Sequence, residues 1–385
     1  MRSNYRPIEE LVIRVDERNT DGSVDTLVGV SIDKCFIKSV ANTVGTDLTK
    51  YKIIRKKDFA VSLMQVSRDQ KIPVAMQMEY DVAIMSPAYP IFRVKDESVI
   101  LPEYLEMWFK RPEFDREASF IAVGGVRGSM PWEEFSRMKL PVPAIEEQKE
   151  IVKNYKAISE RIELKKKIND NLEATARAIY KSYFVDYEPF GGSKPDSWNE
   201  STIDDISSDV ICGKTPPTAD PQNYGDYMPF ITIPDMHGSV YTTSTERFLS
   251  KKGVNTQSNK TLPINSICVS CIASVGLVCL TAEPSQTNQQ INSIICKDGV
   301  SPYYMYIKMT TLTDYLKQLG AGGSTTLNVN KTLFGQISIL CPDRDTFTAF
   351  DNKVEPLFNE MRSNQYEMQQ LESLKSTLLT MLSSC

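Results

Sequence analysis

At 385 residues, 41% of them hydrophobic, the chain has the length for two folded cores plus connectors. No apolar run reaches the roughly 18 residues that span a membrane, and the opening MRSNYRPIEE lacks the apolar stretch of a secretory signal. A net charge of −5 does not advertise a nucleic-acid binder, although a basic face can coexist with acidic helices.

Residues 1–142 read as a first globular half. LVGVSI (27–32), YKIIRKKDFAVSLM (51–64) and PIFRV (90–94) are β-like runs between turn residues. LPEYLEMWFKRPEF (101–114) reads as one short amphipathic helix with Pro102 near its start. A glycine loop from Val123 to Met130 follows, then a short helix in PWEEFSRM and a strand in KLPVP.

The next stretch, 143–187, is a connector. Steps of four and three from Ile151 reach Tyr155, Ile158, Ile162, Lys165, Asn169, Leu172, Ala176, Ile179 and Tyr183. That seam predicts a long coiled-coil helix from Ala144 to about Phe184, polar only at Lys165 and Asn169. A shift of 199 residues carries Ile151 onto Phe350, and the seam recurs through Val354, Leu357, Met361, Asn364 and Met368 to Leu382. The centre is again polar, at Asn364. Pro356 falls near the start of this second helix and is expected to kink or delay it.

Between the helices, 188–342 rhymes with the first half. SICVSCIASVGLVCL (266–280) is matched with DVAIMSPAYPIFRV (81–94), and SPYYMYIKMTTLTDYL (301–316) with the helix around Pro102. Gly320 to Thr326 matches the first glycine loop, and VNKTLFGQISILCP matches PWEEFSRMKLPVP. The second connector is 343–385. The pattern predicts a mixed α/β chain with an internal repeat: globular half, long helix, globular half, long helix.

Four patterns suggest chemistry and fall short of it. Cys268-x-x-Cys271 with Cys279 and Cys296 has loose zinc-ligand spacing, in apolar runs where cysteine serves as a small core residue. Gly213-Lys214-Thr215 ends like a phosphate loop, but Ser208 stands where that loop needs a glycine, and Pro216-Pro217 bars a smooth helix. Ser86-Pro87-Ala88-Tyr89 is similar to the catalytic loop of amino-methyltransferases without its second proline or a cofactor loop before it. Asp343, Asp351 and Lys353 fit a nuclease spacing that the first copy does not keep. The single histidine, His237, leaves no set for His-based catalysis. The chain is expected to catalyse nothing, to hold no metal or cofactor, and, with eight scattered cysteines and no secretory signal, to be cytoplasmic.

Binding is the better prospect. Lys50, Lys52, Arg55, Lys56 and Lys57 form a basic cluster, with Arg68 and Lys71 after it; Lys251, Lys252 and Lys260 form a smaller one. Such runs are either phosphate contacts or solvated faces. Base reading needs polar side chains on rigid loop tips. Arg127 and Ser129 sit on the first glycine loop, and Ser324, Thr325 and Thr326 on the second. Lys214 and Thr215, and the run Asn288-Gln289-Gln290, supply further candidates. Lys165, Asn169 and Asn364 are candidates for fixing helix register.

Over its whole length the chain resembles the specificity subunit of type I restriction–modification systems. The resemblance rests on the two helical repeats (Glu147-Gln148-Lys149 through Ser182, and Phe350 through Leu382) and on Phe184 through Pro189. It rests also on Trp198, Cys212 through Pro216, Tyr224-Gly225, Pro229-Phe230-Ile231, Ser270-Cys271, Gly276 and Asn288 through Asn292, in that order. A Gly-Gly loop before Met130 and before Leu327 completes it. The resemblance implies two small target-recognition domains, 1–142 and 188–342, each gripping half of a bipartite double-stranded DNA target. It implies two long antiparallel helices, related by a pseudo-twofold, as a ruler between them. It further implies two modification subunits, which use S-adenosylmethionine, and restriction subunits, which use ATP and magnesium. The first half departs from the pattern: it lacks the tryptophan-led opening and the Gly-x-Thr-Pro element. Two other readings stay open, a coiled-coil tether between two protein-binding modules and a methyltransferase in its own right.

Overall fold

A computed structural model of the chain describes residues 4–39, 46–64, 66–123, 128–321 and 327–384. The chain divides into two compact units, Met1–Glu160 with Ser373–Cys385, and Arg161–Glu372.

The first unit opens with strand β1 (Tyr5–Pro7), helix α1 (Ile8–Leu11) and strand β2 (Val12–Val15). Strands β3 (Val28–Val30), β4 (Phe36–Lys38), β5 (Lys52–Arg55) and β6 (Phe59–Val61) follow, then α2 (Val66–Asp69), β7 (Val74–Met76), β8 (Val82–Met85) and β9 (Ile91–Val94). Helices α3 (Pro102–Phe109), α4 (Pro112–Ala122) and α5 (Trp132–Arg137) precede β10 (Lys139–Pro141) and the long helix α6 (Ile145–Phe184). Its main sheet is antiparallel, in the order β2-β9-β6-β7. The two-residue period divides the side chains cleanly. Phe59, Val61, Val74, Met76 and Phe92 face a helical core with Phe109, Phe114 and Phe135. Ala60, Ala75 and Ile91 face the smaller β3-β4 and β5-β8 ladders. The expected single helix over 101–114 is two helices. Pro112 drives Arg111 into extended backbone, ending α3 and starting α4.

The second unit runs β11 (Asn199–Thr202), α7 (Ile203–Ile206), β12 (Ser207–Cys212), β13 (Tyr224–Ile231), β14 (Tyr241–Thr242), β15 (Phe248–Leu249) and α8 (Lys251–Asn255). Strands β16 (Ile267–Ser270), β17 (Val278–Thr281), β18 (Gln286–Thr287) and β19 (Ile291–Cys296) follow. Then come α9 (Pro302–Thr311), α10 (Thr313–Gly320), α11 (Lys331–Gly335), β20 (Ser338–Cys341) and the long helix α12 (Arg344–Met381). The main sheet has the order β12-β19-β16-β17-β14. Its first four strands repeat β2-β9-β6-β7.

That order corrects the alignment of 266–280 with 81–94. Residues 266–280 hold β16 and most of β17, which occupy the places of β6 and β7, and β19 occupies the place of β9. Strand β8 belongs to a separate ladder with β5. Apolar runs of similar length look alike in sequence; only pairing tells them apart. The first half also has its own opening. Tyr5–Pro7 pairs with β10 as Asn199–Thr202 pairs with β20, so each half is closed by its own first and last strands. The second opening carries a capping box, with the Thr202 hydroxyl accepting from the Asp205 N–H and the Asp205 carboxylate accepting from the Thr202 N–H. Thr202→Ala is expected to cost about 1 kcal/mol in chemical denaturation.

Within the second unit α6 and α12 pack antiparallel. Tyr183 meets Phe350, Asn169 meets Met361, and Lys165 meets Asn364. In the first unit Lys375 lies over the Tyr155 ring at 5.5 Å. Helix α12 is not delayed by Pro356: it begins at Arg344 and runs through the proline. Pro356 and Asn352, whose carbonyl loses its donor, are both exposed, on the side of the helix where solvent is the available partner. No helix among the described residues is long and apolar enough to cross a membrane.

Candidate functional site

In the second unit, far-separated candidates meet at one end of the main sheet. Cys212 pairs with Asn292, Ser270 with Ile291, and Val269 with Val278. The segments 213–215, 271–277 and 288–290 therefore leave the sheet at the same end. The foot of the second glycine loop joins them: Ala273 N–H donates to the Leu327 carbonyl at 3.1 Å, and Val329 N–H to that of Cys271 at 2.8 Å. Nothing in the sequence announces these bonds, because their partners lie more than fifty positions apart. Ser324, Thr325 and Thr326 lie outside the described residues.

The loops at this end are interlocked. Gly213 N–H donates to the Ile291 carbonyl at 3.1 Å, and Lys214 N–H to that of Thr287 at 2.9 Å. A Cβ on Gly213 would stand 2.2 Å from the Asn288 carbonyl oxygen, so only glycine allows the approach. Asn288, 9% exposed, turns inward, its Oδ1 accepting from the Gln290 N–H at 3.0 Å. Its side chain builds the turn. Gln289 points outward, and its Oε1 accepts from the Thr215 hydroxyl at 2.6 Å. Lys214 is exposed, with no ion pair among the described residues. Of the smaller basic cluster, Lys252 pairs with Asp220 and Lys260 donates to the Cys212 carbonyl.

The first unit has a matching end. Val15 pairs with Ile91 and Val61 with Val74, and Met130 N–H donates to the Leu63 carbonyl at 2.8 Å. Gly128 takes a left-handed φ of 72°, and a Cβ there would meet the Ser67 hydroxyl at 2.3 Å. The loop's foot is thereby set beside Arg68, which sequence reading placed only in a general basic run. Ser129 is half-buried there. Arg127 lies outside the described residues.

The cluster from Lys50 to Lys57 is not one patch. Lys52, 5% exposed, donates to the Tyr89 carbonyl at 3.0 Å and lies 3.7 Å from Asp16. Burial pulls its pKa down, and its ammonium is committed inward. Strand β5 then carries the chain about 10 Å to the other end of the sheet. There Arg55 pairs with Glu17 and Lys57 with Glu97, which raises the Lys57 pKa. Lys56 is exposed, and Lys50 pairs loosely with Asp47 at 3.5 Å. A four-residue strand between them divides what one-dimensional counting joins.

The chemical decoys have structural uses. Cys268 and Cys279 face one side of the sheet and Cys271 the other, so strand alternation prevents them from converging. Asp343 accepts from the Thr346 N–H at 2.8 Å and from the Trp198 indole at 3.2 Å, capping α12 and anchoring a core tryptophan. Asp351 accepts from the Ser301 hydroxyl. Burial, with Glu355 adding like charge, pushes Asp351 up to about 6. A carboxyl raised on folding stabilises below its unfolded pKa, and that contribution is lost as pH rises through about 6. Asp351→Asn is thus expected to add roughly 1–2 kcal/mol at neutral pH, discounted for partial exposure, and to flatten the stability profile between about pH 4 and 6. Denaturation midpoints across pH check both.

Polar groups also occupy the helix seam. Lys165 Nζ donates to Asn364 Oδ1 at 2.6 Å and lies 2.9 Å from Glu367; Asn364 Nδ2 donates to Asn169 Oδ1 at 2.9 Å. Arg161 also pairs with Glu367. Asn364 is 1% exposed. The three predicted seam residues form one connected layer.

The family described as "Type I restriction modification DNA specificity domain" matches residues 42–174 and 195–354. The HindI specificity subunit of Haemophilus influenzae is 31% identical, covering 86% of each chain. The MjaIX specificity subunit of Methanocaldococcus jannaschii is 30% identical over 45% of this chain and 42% of that one. The crystal structure of a type I restriction–modification S subunit from M. genitalium superposes with a TM-score of 0.60 at 12% identity, covering 98% of this chain and 95% of that one. With most of both globular halves matched and a relative aligned along most of its length, the chain belongs to the family of type I restriction–modification specificity subunits.

Proposed function

We propose that the chain reads a bipartite DNA sequence without performing chemistry. Residues 1–142 and 188–342 serve as target-recognition domains, and the helices of 143–187 and 343–385 set the spacing between half-sites. A helix of 40 residues is about 60 Å long, a length suited to separate turns of one duplex. Lysine and arginine hold phosphates, and loop tips at the two sheet ends read base edges. Two modification subunits dock on this repeated scaffold and supply S-adenosylmethionine and adenine methylation. Restriction subunits add ATP- and magnesium-dependent steps. The supporting observation is the repeated strand order with the same loops gathered at one end of each sheet.

The test is single-molecule sequencing of N6-methyladenine in cells carrying the chain with its modification subunit. A methylated motif in two parts with a fixed spacer is expected. No motif, with the partner shown to be expressed and no salt-dependent DNA affinity in vitro, would overturn the reading and leave a coiled-coil tether between protein-binding modules.

A further inference from the structure

The interlocked loops of the second unit present Lys214 and Gln289 to solvent. Gln289 is an exposed amide whose oxygen is held by the Thr215 hydroxyl at 2.6 Å, which orients the side chain and leaves its NH2 group free to donate. Lys214, one position before Thr215, offers three N–H donors and no acceptor. Asn288 is turned inward, Lys252 is paired with Asp220, and Lys260 donates to the Cys212 carbonyl at the base of the same loop. The backbone beneath is held by the Gly213 and Lys214 N–H bonds to Ile291 and Thr287. An adenine edge is read by a glutamine that uses oxygen and nitrogen together, and here the Thr215 hydroxyl competes for the oxygen. An ammonium beside a held amide NH2 suits a ligand that accepts and carries negative charge.

Resting on the specificity reading above, we infer that Lys214 and Gln289 form a phosphodiester clamp. It fixes the second unit on the duplex backbone without distinguishing bases. Discrimination then falls to other segments at that sheet end. The positioning role has a signature that base reading lacks: its loss weakens all sequences alike and reduces the salt dependence.

The experiment uses the full chain in complex with its modification subunit. Duplexes carrying the methylated motif, and the same motif with its second half-site scrambled, are titrated across a salt series. Lys214→Ala is expected to weaken both duplexes about five-fold and to lower the salt slope by about one. Gln289→Glu keeps an acceptor for Thr215 but turns the outward donor into a carboxylate, and should weaken both further. The methylated motif should stay the same in both variants. Guanine also offers only acceptors in the major groove, so a motif changed at one base would overturn the clamp in favour of base reading. Unchanged affinity and slope would overturn it outright. Failure of the unsubstituted complex to show salt-dependent affinity would instead remove the specificity reading, and the clamp with it.

Discussion

Gly213→Ala should cost the second unit about 3 kcal/mol and remove most of its DNA affinity. The added methyl would lie 2.2 Å from the Asn288 carbonyl oxygen, 2.3 Å from Thr287 Oγ1 and 2.4 Å from the Thr287 carbonyl oxygen. Two of these atoms are backbone, so no rotamer change relieves the contact. Gly213 cannot retreat, because its N–H is bonded to Ile291 and the preceding residue is paired with Asn292 in the sheet. Thr287 cannot retreat either, because its carbonyl accepts from Lys214 and the residue pairs with Ile231. Relief requires separating the two loops that carry Lys214, Thr215 and Gln289. The affinity loss should therefore exceed that of Lys214→Ala, with a lowered denaturation midpoint. A variant with unchanged stability and binding would show that these loops are not locked.

Legibility in the sequence followed the range of the interactions. The long helices were readable because a seam of period 3.5 is written within a few residues, and Ile162, Ala176, Tyr183, Phe350, Val354 and Met361 are buried as it requires. The break at Pro112 was equally local, yet the apolar run across it concealed two helices as one. Strand identity was not readable. Residues 81–94 and 266–280 share an apolar run, a turn and another run, but β8 pairs with β5 while β16 lies between β17 and β19. Among the candidate residues, Lys52 and Asn288 look as polar in sequence as Lys56 and Gln289. Their inward direction depends on Tyr89 and on the turn at Gln290.

The other large effect is expected at Asn364, where two copies of one helix meet at equivalent positions. Lys165 and Asn364 stand 199 residues apart, the repeat distance, and bond to each other. A purely apolar seam would accept a shift of one heptad with little penalty; a buried amide that must meet a particular partner does not. Asn364→Leu removes the acceptor of Lys165 and the donor to Asn169, leaving Lys165 to Glu367 and Asn169 Oδ1 without its partner. Such orphaning should cost about 2–4 kcal/mol. Replacing Lys165, Asn169 and Asn364 together by leucine should recover that stability, since an apolar layer avoids desolvating polar groups. Stability and register then part company. If the layer sets alignment, the triple variant should be stable yet direct its modification subunits to motifs with a mixture of spacer lengths. Sequencing of N6-methyladenine reads the spacer directly. A triple variant that is stable and keeps one spacer would show that the apolar positions flanking the layer hold the alignment, and that Asn364 contributes stability alone.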